Sequence, residues 1–157
     1  MLLPCRLQHL FLKELMPVSK EVIITVEGFI EDAEDELAQP EKTSVTAKGS
    51  LVARGGIILL NYTEDSEGGK ITSSLSVREG SVRLVRSGAV ISDFLFSEEV
   101  SSRSVYEIPP YSFDVEIYTK KIRSSLSTEG GEVRIFYEMN IGGAKKKARM
   151  KITVSVL

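Results

Sequence analysis

The stretch Val133-Arg134-Ile135-Phe136-Tyr137-Glu138-Met139-Asn140-Ile141 sets Val133, Ile135, Tyr137, Met139 and Ile141 on one phase and Arg134, Phe136, Glu138 and Asn140 on the other. Spacing of two places side chains on one face of a strand, whereas a helix needs them three and four apart, so this stretch reads as a half-buried β-strand. The same phase governs Phe113, Val115, Ile117 and Thr119, and again Met150, Ile152, Val154 and Val156. Further back it recurs in Val22, Ile24, Val26, in Ile71, Ser73, Leu75, Val77, and in Val82, Leu84, Arg86. From Lys20 to Leu157 such runs follow one another with short glycine- or proline-bearing connections, the pattern of an up-and-down antiparallel meander. About eight to ten strands are expected, and a sheet of that size curls until its edges pair. The expected fold is therefore an all-β, antiparallel up-and-down barrel with an interior, and function is sought there.

Composition narrows the classes. The 157 residues are 42% hydrophobic, enough for one domain that buries roughly 70% of its unfolded surface. Twenty Lys and Arg nearly cancel 22 Asp and Glu, so no long-range field steers the whole molecule, and neither nucleic acid nor membrane is expected as a partner. No apolar run reaches the roughly 20 residues of a spanning helix. Cys5 is the single cysteine, which allows no internal disulfide and points to a cytoplasmic protein.

The segment Met1–Ser19 does not share the alternation. Leu7, Leu10, Phe11 and Leu15 suit one side of a short helix, but Pro4 and the lack of a capping motif argue against it. The segment reads as an extension, disordered or mis-assigned with the true start at Met16, ahead of a barrel domain over 20–157. Within the domain, Gly28 reads as the end of a first strand over Glu21–Glu27, followed by an acidic loop to Pro40. Gly49 and the pair Gly55, Gly56 read as bracketing a turn, and Glu79-Gly80 as a tight hairpin.

Tyr62-Thr63-Glu64 before a glycine turn, the run VRLVRSG over Val82–Gly88, Tyr118-Thr119-Lys120-Lys121-Ile122 and Phe136-Tyr137-Glu138-Met139 together resemble the bacterial YwiB-like family. The resemblance runs from about Lys20 to the C-terminus. It implies a calycin-like β-barrel, related in architecture to lipocalins and fatty-acid-binding proteins, in a family of uncharacterised biochemical role. Ser112 stands where such proteins tend to have Gly, and Arg149 where they tend to have Asn.

Arg86 is the most suggestive position, because it shares a strand face with Val82 and Leu84. A guanidinium turned into a barrel needs an anion. Two readings follow. In one, Arg86 grips the carboxylate or phosphate of a small amphipathic or anionic ligand, with Tyr62, Thr119 and Tyr137 as further hydrogen-bond partners. In the other, which general experience with buried charges favours, Arg86 pairs with Glu64 and locks one end of the barrel. The aromatic set Tyr62, Phe94, Phe96, Tyr106, Tyr111, Phe113, Tyr118, Phe136 and Tyr137 reads first as core filling and second as a cavity lining. Lys145, Lys146, Lys147, Arg149 and Lys151, with Lys120, Lys121 and Arg123, form the one basic concentration. RNA or an acidic partner would suit it, but a solvated lysine-rich hairpin shielding an edge strand accounts for it better.

Catalysis is not expected. The domain lacks His and Cys, and with them the usual general base, thiolate nucleophile and soft metal ligands. No cofactor or metal motif is present. The expectation is a barrel that takes a small ligand on Arg86 and Glu64. Against it stand a non-catalytic module that dimerises or docks a partner through its outer surface and, more remotely, an enzyme built around Glu64.

Overall fold

Alternation governs every strand of the structure, a computed structural model that describes residues 18–157. The strands are β1 (Val18–Asp32), β2 (Glu41–Arg54), β3 (Ile57–Ser66), β4 (Gly69–Arg78), β5 (Ser81–Gly88), β6 (Ser92–Ser97), β7 (Ser101–Ile108), β8 (Tyr111–Ser124), β9 (Gly131–Ile141) and β10 (Ala144–Val156). They form one antiparallel sheet in the order β6-β5-β4-β3-β2-β1-β10-β9-β8-β7. Chain neighbours pair in every case but β6 and β7, and β1 and β10 join in register from Val22 opposite Val156 to Asp32 opposite Lys146. Among the described residues the ladder breaks between β6 and β7. There closure rests on Ile91 and Glu107, which exchange two 2.9 Å backbone hydrogen bonds, and on a parallel bridge from Glu98 to Thr119. The result is a ten-stranded, nearly closed barrel with one seam. The reading made of Met1–Pro17 lies outside the described residues.

The phase that is apolar in sequence is the phase that faces inward. Val22, Leu51, Leu60, Leu75, Val82, Val133 and Ile152 are fully buried, and Phe96 packs edge-on against Tyr137 with ring centroids 4.9 Å apart. Burial is uneven along the barrel. At the end carrying the connections after β1, β3 and β9, Val26, Ile71, Met139 and Met150 keep 7–8% exposure, whereas Leu60, Leu75 and Ile135 keep none. We call the first the open end.

Two glycines sit elsewhere than the sequence reading put them. Gly28 does not end β1, which continues to Asp32, and Gly49 lies inside β2 rather than at a turn. Both face inward where backbones approach closely. A Cβ at Gly28 would lie 2.6 Å from Thr43 Oγ1, and one at Gly49 would press on the Asn61 carbonyl oxygen and lie 2.8 Å from Ile24 Cδ1. Turn and close approach both select glycine, and a single sequence does not separate them. Gly55, Gly56 and Gly80 do occupy turns, each at positive φ. The lysine-rich hairpin also requires correction: β10 is paired on both sides, by β1 and β9, so it shields no edge.

Candidate functional site

Register across β3 to β6 builds a polar row inside an otherwise apolar barrel. Tyr62 lies opposite Ser73, Ser73 opposite Arg86, and Arg86 opposite Ser92 at the seam. Each belongs to the inward phase of its strand: Ser73 between Ile71 and Leu75, Arg86 beyond Leu84, Ser92 before Phe94. Ser73 is fully buried and Ser92 is 4% exposed. From β8 and β9, Thr119 and Tyr137 face each other in register and point into the same interior.

The hydrogen-bond accounting of this cluster is incomplete. Ser73 Oγ, Arg86 Nε, Ser92 Oγ and Thr119 Oγ1 are buried without a protein partner. An unpaired buried polar atom costs about 1–3 kcal/mol, and native interiors hold few of them. Two such hydroxyls, Ser73 and Ser92, beside an unpartnered guanidinium nitrogen mark a place that expects polar company, either water or a ligand.

The structure corrects the favoured reading of Arg86. Glu64 is half-buried, two residues along β3 from Tyr62 and opposite Ile71, nearer the open end. Among the described residues neither Arg86 nor Glu64 takes part in an ion pair. Both belong to the inward phase, but register offsets them, with Arg86 opposite Ser73 rather than level with Glu64. Of the five residues singled out from sequence, Arg86, Tyr62, Thr119 and Tyr137 therefore share the interior, while Glu64 sits nearer the rim. Ser73 and Ser92 were missed as site residues. Their signal was present, a serine on the apolar phase of a strand, but only register reveals that both flank Arg86.

Tyr137 reports the electrostatics. Burial pushes its phenol up to about 12, opposed by the positive charge of Arg86. The free phenol ionises near 10, so between pH 10 and 12 the unfolded chain has lost a proton that the folded chain keeps. Stability from this group is complete below pH 10 and is lost as pH rises to 12, by about 2–3 kcal/mol. Urea midpoints across that window are expected to fall more steeply for the parent than for Tyr137→Phe; parallel curves would show that Tyr137 ionises freely.

The aromatic set divides. Phe96 and Tyr137 pack inside, and Phe94 stacks on Tyr106 at 6.0 Å across the seam. Tyr111, Phe113 and Tyr118 are exposed, and Phe136 lies on the outward phase of β9. Four cavities, of about 540, 400, 490 and 360 Å³, open on the outer faces and at the end that carries the connections after β2, β4 and β8. Arg86 lines none of these four.

The sequence profile of a domain of unknown function, DUF1934, matches residues 24–154. The chain is 28% identical over 131 residues to the uncharacterized β-barrel protein YwiB of Bacillus subtilis (strain 168), covering 83% of this chain and 87% of that one. The crystal structure of the ywiB protein from Bacillus subtilis superposes with a TM-score of 0.73 at 25% identity, over 86% of this chain and 92% of the other.

Proposed function

This chain belongs to the DUF1934 family, and from that premise we propose that its barrel binds a small amphipathic or anionic molecule, with Arg86 as the anchor of the acidic group. The observation that carries the reading is a set of buried polar atoms without protein partners at Arg86, its own Nε and the Ser73 and Ser92 hydroxyls that flank it. A carboxylate or phosphate would satisfy Arg86, and Ser73 and Ser92 stand on both sides of it as hydroxyl donors. Residual exposure of Val26, Ile71 and Met150 supports access from the open end. The seam beside Ser92, where the ladder reduces to the Ile91–Glu107 bridge, is the part of the wall that opens most easily. We place Glu64 at the rim, where its charge disfavours a doubly anionic ligand, and we read the activity as binding rather than turnover in the cytoplasm.

A second reading has its own observation. Val85, Leu95 and Val105 are 38–42% exposed on the outer face on both sides of the seam, which suits a second copy of the chain docking there. One experiment separates the two. The chain is purified without detergent and weighed by native and denaturing mass spectrometry. The first reading expects added mass that disappears on denaturation. A bare dimer would sink it and support the second.

A further inference from the structure

The outer face of β2-β1-β10-β9-β8 carries a row in which cation and aromatic alternate. Lys42 lies opposite Phe29, Phe29 opposite Arg149, Arg149 opposite Phe136, and Phe136 opposite Lys121. The Arg149 guanidinium sits over the Phe29 ring, 4.3 Å from its centroid, and Lys42 approaches the same ring at 6.0 Å. The adjoining row runs Glu27, Lys151, Arg134, Arg123. Lys151 and Arg134 reach Glu132 at 3.7 and 2.9 Å. Among the described residues Lys42, Lys121, Arg123 and Arg149 join no ion pair. A groove of about 540 Å³ runs over Phe29, Lys42, Arg134, Phe136, Arg149 and Lys151.

Since β10 is no edge, these cations guard nothing against strand pairing, and like charges set in a row repel. A polyanion laid across them removes that cost. Five strands at about 4.8 Å span roughly 20 Å, room for several nucleotides. The aromatics decide the type of polyanion: a π-surface between cations suits bases that can splay out and stack while phosphates meet the charges. Phe29 and Phe136 are half-buried, so they expose little apolar surface for insertion into a bilayer.

We infer that this face binds single-stranded nucleic acid, with phosphates on Lys42, Arg149, Lys121 and Arg123 and a base stacked on Phe136. The near-neutral composition pointed away from such a partner, but composition averages over the surface, whereas register gathers the cations.

Fluorescence anisotropy of the full chain with a labelled 12-nucleotide oligothymidylate tests this. Four phosphate contacts predict affinity falling about fiftyfold from 50 to 200 mM salt. Arg149→Glu and Lys42→Glu are each expected to weaken binding at least about tenfold and flatten the salt dependence. Phe136→Ala is expected to weaken it about tenfold with the salt dependence kept. Arg78→Glu on β4, away from this face, is expected to change nothing, and circular dichroism confirms that each variant is folded. Absence of binding at 50 mM salt, or equal loss in Arg78→Glu, overturns the inference. So does capture by phosphatidylserine vesicles without capture of the oligonucleotide.

Discussion

Arg86→Met is expected to weaken binding of an amphipathic anion about a hundredfold while making the empty barrel more stable. The two halves of that result share one cause. Arg86 Nε is buried with no partner, and Ser73 and Ser92 beside it are equally unsatisfied. Removing the charged partner of an enclosed anion costs roughly 2–5 kcal/mol of binding, of which 3 is about a hundredfold. Without a ligand the guanidinium is only a cost. Methionine fills similar space without a charge, and relief of one unsatisfied group yields about 1 kcal/mol after allowance for the partial exposure of Arg86. That raises the melting temperature by about 3 °C. Binding is read with 1-anilinonaphthalene-8-sulfonate and stability by thermal melting of the same samples. An ion-paired structural arginine would give the opposite stability sign, and unchanged dye affinity would remove Arg86 from the site.

Gly49→Ala is expected to cost about 3 kcal/mol or more, although alanine is the smallest possible change. The added carbon would press on the Asn61 carbonyl, a backbone atom fixed in the β2–β3 ladder, and would lie 2.8 Å from Ile24 Cδ1 and 3.2 Å from Tyr62 Cβ. Side chains can turn aside, but a carbonyl in a ladder moves only with its strand, and such overpacking costs typically 1–3 kcal/mol and occasionally more. Gly56 is the control. It sits at φ +79° with nothing within 4 Å of an added Cβ, so Gly56→Ala costs only the left-handed backbone preference, about 1 kcal/mol. Urea denaturation of both variants gives the comparison. If Gly49→Ala were no worse than Gly56→Ala, β2 and β3 would not approach as closely as described. Tyr62, next to Ser73 in the polar row, is carried on that same approach, so Gly49→Ala is also expected to disturb the interior site.

Which face most residues take was legible in the chain, because alternation of period two is local, and it was not legible in β3, where Ile57-Ile58-Leu59-Leu60 is apolar on both phases. Alternation set the inward phase of Arg86, Thr119 and Tyr137, the all-β class and the meander with its tight Glu79-Gly80 turn, whereas burial and register alone turned Tyr62 inward. Neighbours across strands were not legible. They depend on register, on strand tilt and on where the sheet meets itself, all set by contacts between residues far apart in sequence. Tertiary structure alone therefore offset Glu64 from Arg86, set Ser73 and Ser92 on either side of that cation, and turned β10 from a supposed edge into a central strand. It also aligned Lys42, Phe29, Arg149, Phe136 and Lys121 across five strands. Phase is a property of each strand by itself, whereas a site in a barrel is a property of strands aligned with one another.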